Sequence, residues 1–222
     1  MNKIKLLYDV VKTMKEKDVF IGDVKAEVRK DNAKVFGLEK EFEKNTANGQ
    51  VKVKLHTEVD HDGKKVKHES STEFNMQDCC GPKHHGFMKY MHHHHHGEKC
   101  CGGKGKLAKA AFLLKVLNDM KVEEQGDEGT LLSIHINEIP EDLKKTIHEK
   151  MEYKHKMMKD QEQSCCCIKE LCTVENVDVN ITIQINKNSE VEKVRASVNG
   201  KLKDESNEIH EIDLDAELNL TW

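Results

Sequence analysis

Two long runs of this chain alternate apolar and polar residues, and that alternation restricts its fold more than any other feature. In the first run Val24, Ala26 and Val28 are spaced by charged residues, and Phe36, Leu38 and Phe42 follow. Val51, Val53, Leu55, Thr57 and Val59 come next, then Val66, Ser70, Thr72, Phe74 and Met76. In the second run the apolar positions are Val177, Val179, Ile181, Ile183 and Ile185, then Val194, Ala196, Val198 and Leu202. Ile212, Leu214, Ala216, Leu218, Leu220 and Trp222 complete it. A period of two gives each strand one face for a core and one for water. DHDG at 60–63, Asn48-Gly49 and NKNSE at 186–190 separate neighbouring strands by short turns, so the strands pair antiparallel. With a short strand at 131–137 the count is seven or eight.

Between the runs the period changes. Residues 106–122 carry Leu107, Ala110, Phe112, Leu113, Leu114, Leu117 and Met120 over a wide arc, which predicts a largely buried helix. Pro140 suits the first turn of a second helix, running to about Gln163 with Leu143, Ile147, Met151 and Met158 in line. At the N-terminus Ile4, Leu7, Val11 and Met14 recur at helical spacing. The expected fold is α+β: a large curved antiparallel sheet of seven or eight long strands packed on two or three helices. It forms a single domain, 1–222, with a helix and strands in 1–78, a connector in 79–105, a helical middle in 106–172 and strands in 173–222. This order of elements resembles the half-barrel lipoprotein carriers (LolA-like), in which a curved sheet wraps around helices. The resemblance implies a cavity between the concave face and the helices and carries no motif for a ligand.

Charged residues make up 34% of the chain, yet the net charge is only −4, with Lys and Glu interspersed and no basic block. Nucleic acid is therefore not an expected partner. The longest apolar run, residues 110–114, is far short of a membrane span. Asp9 and Lys12 interrupt the N-terminal apolar stretch, so an export signal is not expected, and a cytoplasmic, reducing setting is.

Function is concentrated in residues 79–103, CCGPKHHGFMKYMHHHHHGEKCCGG, which hold four of the eight cysteines and seven of the fourteen histidines. Thiolate and imidazole donors suit zinc, nickel, cobalt or copper. Cys79, Cys80, His84, His85, His92, His93, His94, His95, His96, Cys100 and Cys101 are the candidate ligands, with Met88 and Met91 as thioethers. Glycines beside both cysteine pairs let the backbone fold back and close a mixed sulfur–nitrogen shell, although the C-x-x-C spacing of structural zinc sites is absent. Deleting the segment is expected to abolish metal binding and spare the fold. CCGP at 79–82 and CCGG at 100–103 also resemble the double-cysteine–glycine motifs of heterodisulfide-reductase-type domains, which hold iron–sulfur clusters. The downstream C-x-x-C and longer spacing of that family are missing here.

A second cluster, Cys165, Cys166, Cys167 and Cys172, precedes the last strands and joins the candidate metal ligands. Three consecutive cysteines cannot all face a core, and one site shared with the first cluster requires both to lie at the same end of the sheet. His68 and His210 fall in phase with apolar faces and read as rim residues hydrogen-bonded to neighbours. His148 and His155 share a helix face with Glu149 and Glu152 and read as solvated. No catalytic order or phosphate-binding glycine motif is present, so an enzyme is not the first expectation. The leading expectation is a soluble, non-catalytic transition-metal-binding protein for storage, delivery or sensing. The alternatives are a carrier of a hydrophobic small molecule between sheet and helices, with Ala26, Ala196 and Gly200 leaving room, and a thiol-redox or iron–sulfur protein. The oligomeric state is left open.

Overall fold

The alternating runs form one nine-stranded antiparallel sheet in a computed structural model, which describes residues 2–61, 63–76, 103–126, 129–137, 174–203 and 208–222. In chain order the elements are α1 (Lys3–Lys15), β1 (Val19–Lys30), β2 (Ala33–Asn45), β3 (Gln50–His61), β4 (Lys64–Asn75), α2 (Gly103–Asp119), β5 (Lys121–Glu124), β6 (Thr130–Ile136), β7 (Val174–Ile185), β8 (Val191–Lys203) and β9 (Ile209–Thr221). The strands lie in the order β4-β3-β2-β1-β9-β8-β7-β6-β5. The first run thus builds outward from β1, the second builds inward to β9, and β1 pairs with β9 at the centre.

Three features differ from expectation. The protein is mostly β, with two helices among the described residues, and its sheet is open and not strongly curled, so the expected half-barrel curl is not seen. A ninth strand, β5, takes residues assigned to the helix, and four residues are too few to display an alternation. The apolar helix is not largely buried: Leu114 is 66% exposed and Leu113 60% exposed. Among its described side chains, Leu117 near the C-terminal end, with the following Met120, meets the core.

Turns fix the register. Asp31 and Asn32 both adopt positive φ (49° and 65°) between the paired Lys30 and Ala33, a two-residue hairpin turn that suits short polar side chains. Gly63 (φ 75°) serves the β3–β4 hairpin. Gly129 (φ 95°) closes the β5–β6 loop, where a Cβ would lie 2.2 Å from the Ile185 carbonyl oxygen, so no other residue fits.

α1 starts at Asn2, whose Oδ1 accepts from the backbone N–H of Ile4 (3.0 Å) and Lys5 (3.2 Å). It buries Leu6 and Val10, flanked by Leu7 and Met14, while Ile4 (72%) and Val11 (52%) face water. The expected stripe is therefore rotated. Apolar residues occur on more than one side of this helix, and contact with Met120, Leu132 and Ile185 selects among them. Lys3 Nζ, donating to the Asn118 carbonyl at 2.8 Å, ties α1 to the end of α2. At the same end of the sheet Trp222 donates its Nε1–H to the Val191 carbonyl (2.8 Å) and meets Phe20 edge-on at 5.5 Å. Lys17 pairs there with Glu190.

Candidate functional site

Residues opposite one another in an antiparallel ladder share a face, so the register sorts every side chain. The row Thr57, Leu38, Ala26, Ala216, Ala196, Ile181 and Ile134 crosses seven strands and belongs to one apolar face. Rows on the other side, such as His56, Glu39, Lys25, Glu217, Arg195 and Thr182, are polar.

An open trough of about 690 Å³ lies on the polar face, between Asn180 and Thr182 at one side and His56 and Glu58 at the other. Its charges are extensively paired. Glu217 accepts from Arg195 Nε (2.7 Å), Asn219 Nδ2 (3.1 Å) and Lys193 Nζ (3.2 Å). These donors, Arg195 foremost, pull the Glu217 carboxyl down to about 2 from an ordinary 4.5. Arg29 at 2.7 Å and Lys34 at 3.3 Å likewise lower Glu27. Glu217, held this low, stays a carboxylate at neutral pH and makes a poor proton shuttle.

The Glu217 shift has a stability consequence with a fixed sign. Its folded pKa lies below the unfolded one, so the contribution is complete above about 4.5 and fades as pH falls towards 2. Glu217→Gln should cost at most about 1 kcal/mol at neutral pH, the ceiling for an exposed pair. Urea unfolding should show the gap between wild type and variant closing on acidification; a gap that does not change with pH would contradict the assignment.

The apolar face is packed in two places. One is the core of Leu6, Val10, Met120, Leu132 and Ile185, towards the β5 edge. The other is Val28, Leu202 and Ile212, supported by Val35, Phe36 and Leu214, at the opposite end of the strands. Between them Val24, Ala26, Leu38, Val194, Ala196, Ala216 and Leu218 are only half-buried. Among the strands α2 packs mainly on β6.

The predicted metal ligands in 79–101, and Cys165, Cys166, Cys167 and Cys172, lie outside the described residues. So do the helix expected over 140–163, His148 and His155. Among the described residues no three His, Cys, Asp or Glu side chains gather closely enough to hold a metal. His210, as expected of a rim residue, donates Nδ1–H to Asp31 Oδ2 at 2.6 Å. This bond, with the Glu211 N–H on Asp31 Oδ1 (2.9 Å), holds the Asp31 carboxyl below its ordinary range. His68 is exposed on β4. Sequence reasoning passed over His56, which meets Glu69 at 3.1 Å, and His135, which meets Asn180 at 2.7 Å. Both fall at polar positions of their strands, where alternation offers no signal.

The points of attachment of the two clusters are described. Met76, before the first, donates its N–H to the Gly49 carbonyl (2.7 Å), beside the β2–β3 turn. Val174, after the second, aligns with Leu202 and His210, beside the β1–β2 turn. β2 runs the full distance between those turns, about 40 Å. Met76 and Val174 therefore lie at opposite ends of the strands. β4 is one edge of the sheet, while α2 leads into β5, the other edge. Eight strand spacings separate those edges, again about 40 Å.

No protein-family model matches the chain, and no curated protein shows significant similarity to it.

Proposed function

We propose that this protein binds a transition metal ion (zinc, nickel, cobalt or copper) through the cysteine- and histidine-rich connector 79–101 and stores, delivers or senses it. The observation that carries this reading is a mismatch between what the connector must do and what it contains. Crossing the sheet accounts for its length. It does not account for four cysteines and seven histidines in 25 residues. A crossover needs only reach and solubility, which serine, lysine and glutamate supply. Soft donors flanked by glycine suit capture of a borderline cation. The reading places the chain in the cytoplasm, where thiols stay reduced and free to ligate. Elemental analysis of untagged protein should find about one metal ion per chain, as a four-donor shell requires. Metal-free protein that takes up none of the four ions at micromolar concentration would overturn the reading.

One observation favours a second reading, a carrier of an apolar molecule. The alanine row Ala26, Ala216 and Ala196 lies in the half-buried middle of the apolar face, where short side chains leave room between the two packed regions. Mass spectrometry of solvent extracts should then find an apolar molecule that Ala216→Phe displaces. Empty extracts, with no uptake of an apolar dye, would exclude it.

A further inference from the structure

We propose that β4 is a self-complementary edge through which two copies of this chain join their sheets. The two edges differ sharply. β5 has four residues, whereas β4 has twelve, nearly all exposed. Val66 (63%) and Phe74 (40%) are exposed apolar residues on this strand, and Met76 (42%) follows it. A long, regular and exposed edge with apolar side chains is a template for another strand.

The backbone is prepared for such pairing. Met76 directs its N–H inward to the Gly49 carbonyl. Inward and outward bonding alternate along an antiparallel strand. The odd-numbered residues from Lys65 to Glu73 therefore turn their N–H and C=O groups outward, away from β3.

The side chains then select the partner and the register. β4 is basic in its first half (Lys64, Lys65 and Lys67) and acidic in its second (Glu69 and Glu73). Antiparallel pairing with a second copy sets the basic half against the acidic half, while parallel pairing stacks like charges. With the two-fold axis at Ser70, Lys67 lies opposite Glu73 of the second copy, and Val66 lies opposite its Phe74. Symmetry makes each pair twice. His68 then faces Thr72, and Glu69 faces Ser71. An axis at Glu69 sets that residue against itself, and an axis at Ser71 sets Glu69 against Glu73. An axis at His68 leaves Glu73 and Phe74 beyond the partner's turn. Only the Ser70 axis satisfies charge and apolar contact together, and it continues both apolar faces on one side of the joined sheet.

The test is the mass of the full chain in solution, by sedimentation equilibrium with thiol reductant and a strong chelator, so that neither disulfides nor metal bridges join the copies. Wild type should show twice the 25.5 kDa chain mass. Lys67→Glu and Glu73→Lys should each be monomeric, and the two together should restore the dimer. Ser71→Pro should also be monomeric with an unchanged circular dichroism spectrum, because it removes only an outward N–H. A monomeric wild type, a dimer that survives Ser71→Pro, or a charge-swapped double variant that stays monomeric would each overturn the proposal. Its failure leaves the metal reading intact, since the metal is excluded throughout.

Discussion

Leu132→Ala should lower the unfolding free energy by about 3 kcal/mol, within the roughly 2–5 kcal/mol range for a leucine truncated in a core. Leu132 is 1% exposed and packs where both helices meet the sheet, against Leu6, Val10, Met120 and Ile185. These neighbours come from α1, the residue after α2, and β7, so no single element can move in to fill the space. The cavity term therefore adds to the lost transfer energy. Truncation of Ile4 to alanine, at a position 72% exposed on α1, should change stability by less than about 0.5 kcal/mol. Denaturant titrations in reductant and chelator give both values. A Leu132→Ala cost below about 1 kcal/mol would mean that the helices are not held to the sheet through this cluster.

That cluster also marks where local sequence ceases to inform. Alternation located the long strands, seven or eight by its count, and their faces, because burial on one side of a ladder forces a period of two. It gave no sign that β1 and β9 pair across almost the whole chain, since Ala26 opposite Ala216 is a long-range choice without local chemistry. It missed β5, where Lys121, Glu123 and Glu124 leave Val122 as the only apolar residue. The helices were the least legible part. α1 offers Ile4, Leu6, Leu7, Val10, Val11 and Met14, apolar over too wide an arc for spacing alone to say which side packs. α2 is apolar along its length and was expected inside, yet Leu113 and Leu114 are exposed while Leu117 near its C-terminal end packs on the core, where the chain leaves it directly into β5 at the edge of the sheet.

The candidate sites were legible in a different sense. Cysteine and histidine declare their chemistry by identity, so the donors of 79–101 stand out without any fold. The polar-face network around Glu217 did not stand out, because Lys193, Arg195, Glu217 and Asn219 are ordinary strand residues until β8 is laid beside β9. The connector's role as a crossover was equally hidden, as it depends on β4 and β5 being opposite edges.

That crossover reverses the outcome expected for a deletion and defines the decisive experiment on the metal. Removing 79–101 leaves Gln77, Asp78 and Gly102 between Met76 and α2, a reach of roughly 14 Å. The edges are about 40 Å apart, and even a helix of α2's length aimed straight at β4 covers only about 25 Å of that. A helix also stands about 10 Å off the sheet, so three residues fall short, and the deletion should lose cooperative unfolding along with its metal. Substitution at constant length separates the two effects. Serine for Cys79, Cys80, Cys100 and Cys101, with asparagine for the seven histidines, keeps the reach and removes the donors. That variant should unfold within about 0.5 kcal/mol of metal-free wild type, the outcome for donors that serve the metal and not a core. It should also lose metal at least 100-fold in affinity, by competition with a chromogenic chelator. Serine at Cys165, Cys166, Cys167 and Cys172 should leave affinity unchanged, because the connector alone supplies enough donors for a four-ligand shell. A connector variant that binds as tightly as wild type would move the site elsewhere, and equal losses from both cysteine sets would show that the clusters meet after all.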